Sequence, residues 1–117
     1  MKQNLLIEKS IDFSARILKL QRYLFQEKRE MIISKQIVRS GTSIGANINE
    51  ANYGQSKADF IFKMHLSLKE AAETEYWIKV LMKSKLLKSE EGVSLLDDCL
   101  ELKKMLISSI NTAKKNL

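Results

Sequence analysis

The chain has 117 residues, 44% of them hydrophobic and 29% charged, with no proline and four glycines. That size suits one domain with a single buried core, and the scarcity of breakers excludes a strand-and-turn architecture in favour of a few long helices. Twenty Lys and Arg against fourteen Asp and Glu leave a net charge of +6, concentrated in the first and last thirds of the chain, which permits contact with a polyanion without requiring it.

The first helix is predicted over about residues 4–26 from its apolar spacing. It carries two stripes: Ile7, Ile11, Leu18 and Phe25 form one, and Leu6, Phe13, Ile17, Leu20 and Leu24 form the other. The opening run Leu5, Leu6, Ile7 is cut off by Glu8 and Lys9. It is too short for a signal-peptide core, and no stretch approaches the roughly 20 apolar residues of a membrane span, so a cytoplasmic protein without membrane contact is expected.

The second helix is predicted over about residues 30–53, through the unpromising stretch SGTSIGANINEANYG. On a helical wheel Ile33, Ile37, Ile44, Ile48 and Ala51 share one face, so an apolar stripe continues through the small residues. Gly41 and Gly45, one turn apart, let a neighbouring helix approach closely, which must offset about 1 kcal/mol of helix propensity at each. Ser43, Asn47 and Glu50 form a polar seam at the core edge. Leaving such groups unpaired would cost about 1–3 kcal/mol, so they are expected to act as hydrogen-bonded struts to an adjacent helix rather than as an active site.

Gly54 suits a left-handed helix end, and Ser56 with Asp59 three residues on resembles a capping arrangement for a third helix over about residues 57–84. That helix is apolar on two sides. Phe60, Ile61, Met64, Leu68, Ala71, Ala72 and Ile78 lie on one, and Phe62, Leu66, Trp77 and Val80 on another. His65 falls near the first side and reads as a hydrogen-bonded core histidine. Ser89 is expected to cap a fourth helix over about residues 90–115, with Glu90 and Glu91 beside the positive end of its dipole and Lys114 and Lys115 at the other. Cys99 stands alone on an apolar stripe and reads as a buried small hydrophobe.

The expected architecture is all-α: one domain, residues 1–117, folded as an up-down-up-down antiparallel four-helix bundle. Helices one and three carry more apolar surface than a single bundle hides. A symmetric homo-oligomer is the simplest way to cover it.

Chemistry leaves fewer marks. A di-iron bundle needs Glu-x-x-His pairs, and the sole histidine, His65, has Phe62 at the required position. Glu70 and Glu73 are one turn apart without a second acidic cluster to complete a magnesium site, and Lys69 with Glu73 makes a surface pair. No phosphate loop, nucleophile elbow or Cys-His arrangement is present. The chain is therefore expected to have no catalytic residues, metal, cofactor or small-molecule substrate. The binding signal is local: Lys28, Lys35 and Arg39 return to one helical face, with Arg29 in the turn beside them, and such a stripe can track a phosphate backbone. Arg16 is accounted for by Asp12 four residues earlier.

The run from Ser40 through Ser43, Ile44, Ala46, Asn47, Ile48, Glu50 and Ala51, followed by Phe60 and LSLKEAAETEYWI from Leu66 to Ile78, resembles the bacterial four-helix-bundle proteins encoded in intervening sequences of 23S rRNA genes. The likeness spans nearly the whole chain. That family is similar in turn to the accessory variability determinant of diversity-generating retroelements, a homopentameric barrel that binds a reverse transcriptase and nucleic acid. The resemblance implies a pentameric helical barrel with RNA or DNA, or a nucleoprotein such as a reverse transcriptase, as partner. Two readings follow. One is a nucleic-acid-binding accessory protein acting through Lys28, Arg29, Lys35 and Arg39; the stripe has no interleaved aromatics, so little sequence preference is expected. The other is an oligomeric adaptor that binds another protein through Thr42, Ala46, Asn49 and Tyr53.

Overall fold

The computed structural model describes the backbone of residues 2–116 and the side chains from Leu5 to Asn116; the expected domain limits, residues 1 and 117, lie outside the described residues. Four helices account for nearly all of it: α1 (Lys2–Gln26), α2 (Ile32–Asn52), α3 (Lys57–Lys83) and α4 (Ser89–Lys115). A 27-residue helix is about 40 Å long, and the molecule measures 47 × 21 × 20 Å. It is a bundle one helix-length tall with no strand among the described residues.

Helix ends follow local chemistry. Arg29 takes a left-handed conformation with φ of 54°, which breaks α1 from α2. The Glu30 carboxylate then accepts from the backbone N–H groups of Ser34 at 2.8 Å and Ile32 at 3.2 Å, so it caps α2 from outside and sets the helix start at Ile32. Ser56 caps α3 by accepting from Asp59 N–H at 3.1 Å, as its spacing predicts. Two other caps differ. Gly54 is not left-handed, since no described glycine has positive φ; an added Cβ there would sit 2.9 Å from Asp59 Oδ2 and 3.0 Å from Ala51 O, so lack of room explains the glycine. Ser89 is the first residue of α4 rather than its cap, a position held by Lys88 in an extended conformation. Glu90 and Glu91 do occupy the first turn, beside the positive end of the helix dipole.

The core is built from one stripe per helix: Leu6, Phe13, Ile17 and Leu24 on α1; Ile37, Ile44 and Ile48 on α2; Met64, Ile78 and Leu81 on α3; Leu95, Leu102 and Leu106 on α4. Each such side chain contributes about 1.5–3 kcal/mol on burial. α1 packs against α2 and α4, and α3 packs against α2 and α4, and the side chains of all four meet in one core.

The seams between helices are not equivalent. At α1–α2, a Cβ on Gly41 would lie 2.8 Å from Ile17 Cγ1, and one on Gly45 would lie 2.9 Å from Ser10 Oγ; the glycines admit α1, as their spacing suggests. At α2–α3 the buried interface holds hydroxyls: Ser67 donates to Ile44 O at 2.7 Å, and Thr74 Oγ1 lies 2.9 Å from Ser40 Oγ. At α3–α4, Lys103 pairs with Glu75 at 2.7 Å. The α1–α4 seam is the most sparsely packed. It is spanned by long charged side chains, with Lys9 on Glu101 at 2.9 Å and Arg16 on Glu91 at 2.8 Å and Asp98 at 2.7 Å. Arg16 therefore turns away from Asp12, because α4 offers it two carboxylates and the Ser94 hydroxyl.

Candidate nucleic-acid interface

The four basic residues of the stripe separate into two environments. Lys28, Arg29 and Lys35 are exposed. Lys28 Nζ stands 6.0 Å from the Tyr23 ring centroid, the outer reach of a cation–π contact. Arg39 is engaged instead: its guanidinium bonds Glu70 at 3.2 Å and Glu73 more closely still. Glu73 also accepts from the Trp77 indole N–H at 3.0 Å. The indole bond, followed by the Arg39 guanidinium, holds the Glu73 carboxyl below its ordinary pKa, and Glu73 in turn raises that of Arg39. Glu70 and Glu73, one turn apart, thus form a clamp on Arg39 that ties α3 to α2. The expected Lys69–Glu73 pair gives way to it, since Arg39 offers two donors in a fixed fork.

The polar seam on α2 also behaves differently from its expectation. Glu50 does reach the adjacent helix, pairing with Lys63 at 3.0 Å. Ser43 donates to Arg39 O at 2.6 Å and Asn47 to Ser43 O at 2.9 Å, both on their own helix. Residues four apart on a helix offer a carbonyl within reach of a short side chain, so these two are satisfied locally and do not strut α3. The struts are Ser40, Ser67 and Thr74, which lie deeper than the seam. His65 is exposed, not a core residue. Among the described residues no group of three or more His, Cys, Asp and Glu could hold a metal, and no helix is long and apolar enough to cross a membrane.

Further basic residues gather where sequence separation hides them. Lys83 at the end of α3 and Lys85 and Lys88 in the turn to α4 are all exposed, and that turn stands at the same end of the bundle as Lys28 and Arg29. The contact that fixes this is a groove of about 370 Å³ in which Lys19 and Tyr23 of α1 face Leu87 and Lys88. The cue in the sequence is the repeated lysine in KSKLLK, residues 83–88. Its distance from the first cluster conceals the pairing. The acidic residues at this end are partly spent, with Glu30 capping α2 and Glu91 paired to Arg16.

The patch of Thr42, Ala46, Asn49 and Tyr53 is also at the surface. Ala46 and Asn49 line a shallow groove with Ile7, Ile11 and Ser14 of α1, and Ile11 is 61% exposed. The α1 stripe of Ile7, Ile11, Leu18 and Phe25 therefore stays largely uncovered, with Ile11, Leu18 and Phe25 exposed along it, and α4 shows an outer line of Val93, Leu100 and Ile107.

Residues 2–108 match the family described as 23S rRNA-intervening sequence protein. The chain is similar to a crystal structure of a protein of unknown function from the S23 ribosomal protein family of Bacteroides thetaiotaomicron VPI-5482, at 49% identity and a TM-score of 0.94, over 95% of this chain and 99% of that one. No match is found among the curated proteins.

Proposed function

The chain belongs to the family of 23S rRNA-intervening sequence proteins, and from that premise we propose that it is a non-enzymatic, homo-oligomeric accessory protein that holds RNA or DNA at the basic end of an antiparallel, up-down-up-down bundle. The topology is supported by paired residues that run in opposite sequence directions: 9 with 101 and 16 with 91 between α1 and α4, and 39 with 70 and 50 with 63 between α2 and α3. The observation that carries the binding reading is the lack, among the described residues, of any ion pair on Lys28, Arg29, Lys35, Lys83, Lys85 or Lys88, while Arg16, Arg39, Lys63 and Lys103 are each neutralised. Unpaired cations on one end are the charges a polyanion can use. Arg39 then serves the fold.

Self-association rests on the uncovered α1 stripe and the outer line of α4. Two different apolar faces on one protomer suit a head-to-tail contact, which closes into a ring when the rotation allows; the pentamer and a reverse transcriptase or other nucleoprotein as partner are carried by the family resemblance. A ring repeats a weak basic end several times over and raises avidity without new contacts. The groove of Ile7, Ile11, Ala46 and Asn49 supports the adaptor reading equally well if another protein covers it.

The decisive measurement is RNA and DNA binding by the purified protein between about 50 and 200 mM salt, with Lys28, Arg29 and Lys35 changed to Ala and with Arg39→Ala alone. The reading expects affinity that falls steeply with salt and a slope reduced by about one for each phosphate-contacting cation removed. Arg39→Ala should leave the slope alone. Absence of binding, or binding indifferent to the triple change, overturns it. Light scattering at micromolar concentration tests the ring, and a stable lone protomer would refute it.

A further inference from the structure

The basic end holds an aromatic side chain, Tyr23, that the fold brings against Lys88, 65 positions away in the sequence. Tyr23 is half-buried on α1 and lines the groove against the α3–α4 turn, whose apolar floor is Leu20, Leu87 and Leu95. Lys19 and Lys88 stand on its rim, and Lys28 adds a third cation at 6.0 Å from the Tyr23 ring. Arg16 and Glu91 also line it but are paired with each other at 2.8 Å, so the local balance is positive. The whole groove measures about 370 Å³, at the small end of ligand-sized clefts.

This combination differs from a bare lysine stripe. Duplex phosphates need positive charge and nothing else, whereas an unpaired base also needs an apolar or aromatic surface to stack on, and sequence-tolerant single-strand binders combine the two. We propose that the groove between α1 and the α3–α4 turn receives an unpaired base of a single-stranded nucleic acid, with Tyr23 as the stacking surface and Lys19, Lys28 and Lys88 on the flanking phosphates. The proposal rests on the nucleic-acid reading above and narrows it from any polyanion to single strands. It also replaces the expectation of a stripe without aromatics, because Tyr23 lies beside Lys28 and the fold brings Lys88 to the same groove.

The test compares Tyr23→Phe and Tyr23→Leu in the full chain, measured against a single-stranded oligonucleotide, a duplex of the same length and a polyglutamate peptide, at one salt concentration. Phe keeps the ring; Leu keeps apolar packing against the core but removes the π surface. Single-strand affinity should be unchanged in Tyr23→Phe and should fall roughly ten-fold or more in Tyr23→Leu, in line with the loss of one stacked base; duplex affinity should move little in either. Circular dichroism and thermal melts establish that both variants are folded, and should Tyr23→Leu fail to fold, Tyr23→Met takes its place. Equal loss on duplex and single strand, or no loss on either, overturns the stacking site while leaving the basic end intact. Polyglutamate bound as tightly as the oligonucleotide would mark a surface that reads charge alone and also overturns it. A wild-type protein that binds no nucleic acid overturns both readings together.

Discussion

Changing Gly41 to Ala tests the tightest helix contact in the bundle. Alone, the substitution favours the helix by about 1 kcal/mol, because glycine costs that much relative to alanine in a helix interior. Against this, the new Cβ would stand 2.8 Å from Ile17 Cγ1, 3.0 Å from Cγ2 and 3.2 Å from Cδ1. Ile17 is fully buried and β-branched, so it has one strongly preferred rotamer on a helix and cannot swing aside. Overpacking of this kind costs typically about 1–3 kcal/mol. The net expectation is destabilisation by about 1 kcal/mol. The sign should reverse when the obstruction is removed: Ile17→Ala deletes all three contacting atoms, at a cost of about 2–5 kcal/mol. In that background Gly41→Ala should stabilise by about 1 kcal/mol. A double-mutant cycle therefore predicts a coupling near 2 kcal/mol. Urea denaturation followed by circular dichroism measures it, at one fixed protein concentration for all four proteins of the cycle. A Gly41→Ala protein more stable than wild type, or a coupling near zero, would show that the close approach of α1 does not set the glycine.

Ser34 Oγ is buried without a hydrogen-bond partner, so Ser34→Ala should keep or raise stability by up to about 1 kcal/mol, and a loss of that size in the same denaturation assay would reveal a partner. Burial pushes the Cys99 thiol up to about 12, and its Sγ lies 3.4 Å from Ala71 O; labelling in mildly alkaline buffer should proceed at the rate of opening, accelerate with urea, and contradict this reading if it is fast in the native state. Glu73 and Glu75 both hold their protons less tightly than ordinary carboxylates, Glu73 because of the Trp77 indole and then Arg39, Glu75 because of Lys103 and then Lys79. Their folded pKa values lie below the unfolded ones, so the stability they contribute is present above the usual carboxylate range near 4 and is lost as pH falls through the folded values. Emission from Trp77, the one tryptophan in the chain, should shift with the Glu73 titration in acid, and Glu73→Ala should abolish that step; an unchanged step would place the titrating group elsewhere.

The helices were legible because each keeps an apolar stripe at helical spacing, and the α2 stripe from Ile37 to Ala51 is buried as its wheel requires. Gly41 and Gly45 were legible for a related reason: a pair of small residues one turn apart marks close approach, though not which helix approaches. The polar partners were not legible. Asn47 and Ser43 look like struts on a wheel, yet a short polar side chain can share the helix carbonyl one turn back without crossing to a neighbour, while Ser40 and Thr74 meet across the α2–α3 seam. The same limit applies to charge. A helical face identifies Arg39 as one of a basic group, but Glu70 and Glu73 lie more than thirty positions away, and only the packing of α3 on α2 shows that they take it.

Ion pairing decides which cations remain available, and it does so seam by seam. Where two helices lie close, buried side chains fill the space; where α1 and α4 stand apart, Lys9 and Arg16 bridge the gap and spend themselves on Glu101, Glu91 and Asp98. Among the described residues Lys28, Arg29, Lys85 and Lys88 at the turns carry no ion pair, while Glu30 caps α2 and Glu91 is taken by Arg16. The α1–α2 and α3–α4 turns meet at one end, where Lys28, Arg29, Lys83, Lys85 and Lys88 are exposed. A surface ion pair contributes little to stability, so the pairs along the shaft matter less as fasteners than as neutralisers. They engage Lys9, Arg16, Arg39, Lys63 and Lys103 along the shaft and leave Lys28, Arg29, Lys83, Lys85 and Lys88 without an ion pair among the described residues.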